Sequence, residues 1–270
     1  LQLGFQKGIG SSYNNLGGLY DSQGDDVRAL RYYMLALEAK RKGNDKRSIA
    51  STLNNIGIIY KKQEYFDRSL VYYREAAVLN KSSNNKTFLQ INYYNMANSH
   101  KGLKNYDSAF YYYQLSLALL HELDKLASSV DILMSIGNYY IDLKQYDKAI
   151  IYFDSSYSAA SLYGHTNASS HYYFQNKGRA LLLMNQLDSA ESYLLRAWEL
   201  IKDTKDWGQL NTVSSTLSQL YYSKYQLRGD NKDLELAHCY ILKAYISRDS
   251  LLNQKRMNTI FDLVMDDLVN

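Results

Sequence analysis

The sequence predicts an all-α protein built as a solenoid of repeated helix pairs, and three observations support this fold. A small residue followed three positions later by a bulky one recurs, with the small residue at 17, 57, 97, 137 and 178. The 270 residues include no proline, so no residue of that kind interrupts a helix from within. Tyrosine supplies 28 residues, often in adjacent pairs. A near-constant period of this size is typical of stacked supersecondary units.

The first half of each unit carries the recurring spacing itself. Because its members lie three and four positions apart, they share one face of a helix. A sixth unit keeps the same register at Leu217, Ser218 and Tyr221. The five closest copies are Leu16-Gly17-x-x-Tyr20, Ile56-Gly57-x-x-Tyr60, Met96-Ala97-x-x-His100, Ile136-Gly137-x-x-Tyr140 and Lys177-Gly178-x-x-Leu181.

The second half of each unit repeats a small, a bulky and a small residue at spacings of four and three. These spacings again define one helical face, on which small residues allow a neighbouring helix to approach closely. An Asp precedes each of these faces, at Asp67, Asp107, Asp147 and Asp188, and is expected to cap the second helix or to favour its dipole. The copies are Ala29/Tyr33/Ala36, Ser69/Tyr73/Ala76, Ala109/Tyr113/Ser116, Ala149/Phe153/Ser156 and Ala190/Leu194/Ala197.

With these spacings the chain resembles the tetratricopeptide repeat family, in its variety with a period near 40 residues. The resemblance implies a right-handed α-α superhelix of about six helix-turn-helix repeats. Two features depart from the common form, because the usual period is about 34 residues and the proline that often closes each unit is absent. In the sixth unit the next small residue, Ala237, comes late, which predicts a turn lengthened within residues 224–232.

The predicted domain organisation is one repeat array over residues 1–249, followed by a C-terminal helix over residues 250–270. That helix is amphipathic and is expected to cap the last repeat or to connect to a further module. The six repeats are placed at residues 7–45, 46–85, 86–124, 125–164, 165–205 and 206–249.

Composition and motifs indicate a binding protein rather than an enzyme. The five histidines are scattered without metal-ligand spacing, and no glycine-rich phosphate loop is present, so we expect no catalytic residues, metal or cofactor. The formal net charge is +4 and the basic residues are spread over several turns, which disfavours nucleic-acid binding. No apolar run is long enough for a membrane span in this segment. The single cysteine leaves the redox compartment open, and the localisation is not predicted.

The resemblance places the first helix of each unit on a concave groove, where asparagine holds the main chain of an extended peptide. One position before the small residue the units carry Asn15, Asn55, Asn95, Ser135, Asn176 and Thr216. A carboxamide both donates and accepts, so it can pair with any peptide unit; the alternative is that these side chains bond to neighbouring helices. Further groove positions predicted from the same register are Asn14, Asn54, Tyr94, Met134, Gln175, Asn98, Asn138 and Arg179.

We therefore expect a scaffold that binds a protein or peptide segment in this groove. The organisation resembles the sensory or interaction domains of larger bacterial signalling or transcription-regulatory proteins. Two alternatives remain. One is a self-association scaffold that uses its outer face and end helices, including a homodimer through the C-terminal helix. The other is a small-molecule sensor in the tyrosine-rich groove.

Overall fold

The computed structural model consists of paired antiparallel helices and confirms the all-α solenoid fold. It describes the backbone of residues 2–162 and 166–269 and the side chains of residues 8–162 and 170–253, and these contain no strand. A short 3₁₀ helix, Leu126–Ser129, precedes α7. The helices are α1 (Gln2–Gln23), α2 (Asp26–Lys42), α3 (Lys46–Lys62), α4 (Phe66–Ser82), α5 (Lys86–Gly102), α6 (Tyr106–Glu122), α7 (Val130–Asp142), α8 (Tyr146–Leu162), α9 (Thr166–Leu183), α10 (Leu187–Ile201), α11 (Trp207–Arg228) and α12 (Asn231–Val269).

The 40-residue period divides into two equal halves, each made of a helix and a three-residue turn. Helices α2 to α6 have 17 residues each. In the turn after α3, Glu64 has a φ of 60°, and the amide of Tyr65 donates to the carbonyl of Tyr60 at 2.9 Å. This αL residue and its six-to-one hydrogen bond define a Schellman motif. The same conformation recurs at Gly24, Asn44, Glu64, Asn84, Lys104, Asp124 and Lys144, which are 20 residues apart.

The predicted faces of the second helices form the core. Every small and bulky position on them is at most 2% exposed, and Tyr73, Tyr113 and Phe153 are completely buried. The glycines of the first helices explain how such large side chains fit. A Cβ atom on Gly57 would lie 2.5 Å from Cε1 of Tyr73, and one on Gly137 would lie 2.3 Å from Cε1 of Phe153. The missing side chain therefore provides space for a ring of the partner helix.

A second set of rings stacks between the two helices of a repeat. Tyr60 lies on Tyr72 with ring centroids 5.4 Å apart and an interplanar angle of 10°. His100, which replaces tyrosine in the third repeat, preserves this geometry on Tyr112 at 5.4 Å and 6°. Offset stacking of this kind adds about 0.5–1.5 kcal/mol to the stabilisation from burial. The remaining described pairs are Tyr20 with Tyr32, Tyr140 with Tyr152, and Tyr221 with Tyr240.

Two local expectations from the sequence are wrong. Asp67 does not cap α4, because it lies in the first turn after the N-cap residue Tyr65 and so can act only through the helix dipole. The extra residues of the sixth repeat do not lengthen its turn. They extend α11 to Arg228 and start α12 at Asn231, which leaves a two-residue connection closed by Gly229 at a φ of 69°.

The chain forms two compact units, Leu1–Ile132 and Leu133–Asn270. In the first unit the largest described cores lie between α2, α3 and α4 and between α4, α5 and α6. In the second, α9 to α12 surround a core that includes Leu194 and Leu217. The predicted C-terminal helix over residues 250–270 is not a separate element, because α12 continues without interruption from Asn231 to Val269. Side chains after Asn253 lie outside the described residues.

Candidate peptide-binding surface

The first helices of the repeats lie on the inner side of each unit. In the first unit α3 contacts α5, and in the second α9 contacts α11, whereas among the described residues no two successive second helices approach as closely. Helices that converge in this way lie on the inside of a curved stack. The inner stripe of α3 contains Ser51, Asn54, Asn55, Ile58 and Lys61, all of them half-buried.

Part of this stripe is occupied by hydrogen bonds between consecutive repeats. Between the first two repeats, Lys40 Nζ donates to Thr52 Oγ1 at 2.7 Å, and that hydroxyl lies 2.9 Å from Oδ1 of Asn14. Lys40 and Thr52 are buried. Burial lowers the pKa of Lys40, and Asp45 partly opposes this effect. The predicted groove residue Asn14 is thus an acceptor in the contact between α1 and α3.

Asparagines form the equivalent contact between the second and third repeats. Asn80 Nδ2 donates to Asn92 Oδ1 at 2.7 Å, and Asn92 Nδ2 donates to Asn54 Oδ1 at 3.2 Å. Asn95 Nδ2 donates to the same oxygen of Asn54 at 3.0 Å. Lys61 Nζ in turn donates to Asn95 Oδ1 at 3.3 Å.

This network decides between the two interpretations of the asparagine register for Asn95, and it also involves the further predicted groove residue Asn54. Asn95 is only 5% exposed and uses both its acceptor and a donor within the protein. Asn54 accepts two hydrogen bonds. The expectation that these two side chains present free carboxamides to a ligand is therefore corrected, because they join α3 to α5 instead.

The other predicted positions of the first unit differ in how much of each side chain is available. Asn15 is exposed and Asn55 is half-buried, and neither side chain has a hydrogen-bond partner among the described residues. Asn98 accepts from the hydroxyl of Tyr113 at 2.7 Å, which leaves its amide group on the inner surface. Tyr94 is half-buried and lies 6.3 Å from Tyr113 between ring centroids.

In the second unit two of the predicted asparagines form hydrogen bonds with Met134. Met134 accepts a weak hydrogen bond from Asn176 Nδ2 at 3.3 Å, and Asn138 donates to the carbonyl of Met134 at 3.2 Å. Gln175 is only 7% exposed, and its Oε1 is buried without a hydrogen-bond partner. Arg179 is exposed.

The buried residues at this register also change character within the first unit. Leu120 and Ile132, which occupy the register of Asn80 and Asn92, are at most 2% exposed. The array therefore tolerates either a fully paired polar contact or an apolar one at this position. A mixed contact would leave a buried amide unpaired, at a cost of about 1–3 kcal/mol.

A charged cluster in the second unit was not predicted. Lys177 occupies the register of Ile56 and Ile136, yet its Nζ lies 2.7 Å from Oδ1 of Asp154 and 3.2 Å from the hydroxyl of Tyr173. Burial disfavours the charged amine, but hydrogen bonds to Asp154 and the neighbouring tyrosines outweigh it and raise the pKa of Lys177. The sequence signal was the lysine itself at a core position.

The described residues were compared with two other kinds of functional feature, a metal site and a membrane span. They contain no group of three His, Cys, Asp or Glu side chains arranged to hold a metal ion. Within the described part of the chain, no helix has the length and apolar character needed to cross a membrane. Cys239 is a free, exposed thiol.

The fold and the inner surface define a helical-repeat scaffold, and family models assign the repeats. One tetratricopeptide repeat model matches residues 9–44 and 49–85, and a second matches residues 130–161. These residues therefore carry tetratricopeptide repeats, as the spacing predicted. A comparison with curated protein sequences finds no significant match.

Solved structures with this fold include three Rap proteins. The apo form of RapI superposes with a TM-score of 0.71 at 14% identity, covering 91% of this chain and 85% of its own. A Rap protein complexed with Competence and Sporulation Factor gives 0.68 at 14% identity, covering 92% and 75%. The Rap conjugation gene regulator of plasmid pLS20, in complex with the Phr* peptide, gives 0.64 at 14%, covering 91% and 74%. Similarity at this level of identity concerns the fold.

Proposed function

We propose that this protein is a scaffold that binds an extended protein or peptide segment along the inner surface of its first helices. The observation that carries the proposal is the pair of unsatisfied carboxamides at the same register of consecutive repeats, Asn15 and Asn55. A carboxamide without a protein partner can donate to and accept from one peptide unit of a ligand. Asn98 contributes a further donor, whereas Asn54 and Asn95 shape the surface beneath.

Side-chain hydrogen bonds alone do not supply the affinity. Each contributes about 0.5–1.5 kcal/mol net, while micromolar binding requires about 8 kcal/mol. The remaining free energy must come from apolar contact with half-buried side chains such as Ile58 and Tyr94. Recognition of the main chain therefore fixes the path of a ligand, and the side chains around it select the sequence.

Two similar structures support this type of ligand. The Rap–Competence and Sporulation Factor and Rap–Phr* complexes are proteins of this fold with bound partners, the second a peptide. One of those proteins is named a conjugation gene regulator. By this analogy we propose that the chain is the sensory or interaction domain of a larger bacterial regulator.

The proposal is tested by selecting ligands from a random peptide library displayed on phage, with the full chain as bait. Affinity of a selected, labelled peptide is then measured by fluorescence polarisation. The Asn55→Ala variant should weaken binding between about two- and tenfold, the loss expected for one hydrogen bond. A combined Asn15→Ala and Asn55→Ala variant should weaken it by the product of the single effects.

The matched control is Gln114→Ala, which removes an exposed carboxamide from the second helix α6. It should leave affinity unchanged, and all variants should keep the helical circular dichroism of the wild type. Equal affinity of the Asn55→Ala variant and the wild type would exclude the main-chain recognition proposed for this surface.

A second candidate function is self-association through α12. Ile241, Leu242, Tyr245 and Ile246 are between 47% and 60% exposed, although they lie on the last helix pair. Contiguous exposed apolar side chains of this kind mark interaction surfaces. Sedimentation velocity of the full chain should show a dimer that a Tyr245→Glu and Ile246→Glu variant abolishes; a monomer in both would exclude this candidate.

A further inference from the structure

Two first helices of the first unit, α3 and α5, carry charge of one sign only. Neither α3 nor α5 contains an acidic residue, and together they carry Lys46, Arg47, Lys61, Lys62, Lys86 and Lys101. The acidic residues of the helices α2, α4 and α6 include Glu38, Glu75 and Glu122. The second helices α2, α4 and α6 carry charges of both signs, with eight basic and six acidic side chains, so α3 and α5 are set apart by their lack of acidic residues.

Some of these cations are already paired across the two layers or between first helices. Lys86 forms an ion pair with Glu122, and Lys62 forms one with Asp21. Arg41, on α2, pairs with Glu75 at 2.7 Å. None of these pairs involves Lys61 or Arg47 of the inner stripe of α3.

On the inner stripe of α3, Lys61 and Arg47 are cations without a described carboxylate partner. Among the residues that the structure describes, neither has a carboxylate within ion-pair distance. They lie 14 positions apart on the same stripe of α3, roughly 21 Å along the helix axis. Asn55 lies between them on that stripe.

The surroundings of Lys61 are those of a cation that lacks a counter-ion. Its amine is half-buried, and its described partner is the neutral carboxamide oxygen of Asn95 at 3.3 Å. Burial and the adjacent charge of Lys62 lower the pKa of Lys61. A partly desolvated cation of this kind gains most from a charge-assisted hydrogen bond with an anion.

We propose that the segment bound by the first unit is acidic, and that side-chain carboxylates of its Asp or Glu residues pair with Lys61 and Arg47 on either side of the main chain held at Asn55. This inference rests on the proposed function and specifies its ligand. The complementary charge also predicts faster association at low salt, because the basic stripe attracts an acidic segment over several ångströms.

The test uses labelled, C-terminally amidated peptides of alanine, leucine and serine in which glutamate replaces none, some or half of the residues. Affinity for the full chain should rise with glutamate content and fall as salt is added. Lys61→Gln should weaken binding of the glutamate-rich peptide about tenfold or more, the loss expected for one charge-assisted hydrogen bond. Lys61→Arg should restore most of that affinity.

The matched control is Lys81→Gln, which removes the same charge from an exposed position on the second helix α4. Equal losses in the Lys61→Gln and Lys81→Gln variants would attribute the effect to net charge and overturn the proposal. Binding that ignores glutamate content, or that requires a free C-terminal carboxylate, would overturn it as well.

The two proposals fail in distinguishable ways. Asn55→Ala should weaken every peptide that binds, whatever its acidity, whereas Lys61→Gln should act on the glutamate-rich peptides alone. Loss in the Asn55→Ala variant without selectivity for glutamate would retain the peptide-binding function and remove the acidic ligand. Absence of binding by any peptide, in this series or from the library, would remove both.

Discussion

Two adjacent glycines in α1 test the packing argument for the whole array. A Cβ atom added to Gly17 would lie 2.6 Å from Cδ1 and 2.7 Å from Cε1 of Tyr33, a ring that is 2% exposed. At Gly18 the nearest atom would be the Tyr33 hydroxyl oxygen, at 3.7 Å. Both positions are inside the same helix, so the gain in helix propensity from alanine is the same, about 1 kcal/mol.

The two substitutions differ in steric overlap with the Tyr33 ring, which is present at Gly17 and absent at Gly18. Gly18→Ala should raise the free energy of unfolding by about 0.5–1 kcal/mol. Gly17→Ala must also displace the Tyr33 ring, and overpacking of this kind costs about 1–3 kcal/mol, so the net effect should be a loss of up to about 2 kcal/mol. The third repeat already accommodates Ala97 opposite Tyr113, so the variant should still fold.

The measurement is urea unfolding of both variants and the wild type, followed by helical circular dichroism. The two variants should change stability in opposite directions. Equal changes would refute the argument that the glycine of each repeat is present to make space for a ring.

Three further predictions concern the contacts between and within repeats. Asn92→Ile should reduce the free energy of unfolding by about 1–3 kcal/mol, because it removes the acceptor of the buried amide group of Asn80, whose Oδ1 still accepts from Asn85. Adding Asn80→Leu should recover most of the loss; no recovery in urea unfolding would contradict the exchange of polar and apolar residues. Burial and Arg74 lower the pKa of His100, with Asp67 opposing, so the folded protein favours the neutral ring; stability should fall as pH decreases through about 6.5. In a His100→Tyr variant that decline should be smaller, and identical pH profiles of the urea midpoint would exclude His100 as its source. Lys104 has a φ of 59°, so Lys104→Gly should increase the free energy of unfolding by about 0.5–1 kcal/mol and raise the melting temperature. An unchanged or lower melting temperature would show that the turn is not strained.

The repeat architecture was predictable because packing is periodic. Tyr73 and Phe153 lie at equivalent positions and face Gly57 and Gly137, so spacing alone identified both helices of the unit. The half-period of 20 residues was not visible, because the αL positions of the turns carry residues as different as Asn84 and Lys104. A turn conformation fixed by backbone hydrogen bonds places few demands on its side chain.

The inner surface was predictable only in part. The register placed Asn55 and Asn95 together, but whether a carboxamide is free depends on the residues of the adjacent repeat, which are Asn54 and Lys61 for Asn95. The extra residues of the sixth repeat were wrongly assigned to a turn, because polar residues after Lys224 are compatible with both helix and turn. The basic character of α3 and α5 was not predictable from the overall charge of +4, which averages over all helices.

The most direct test of the central claim locates a bound peptide on one layer of helices. p-Benzoylphenylalanine is introduced in place of Ile58, on the inner stripe of α3, or in place of Val71, which is 59% exposed on α4. After irradiation with a peptide selected from the library, the variant substituted at Ile58 should crosslink to the peptide and the variant substituted at Val71 should not. Crosslinking confined to the position of Val71, or equal at both positions, would contradict binding on the inner surface.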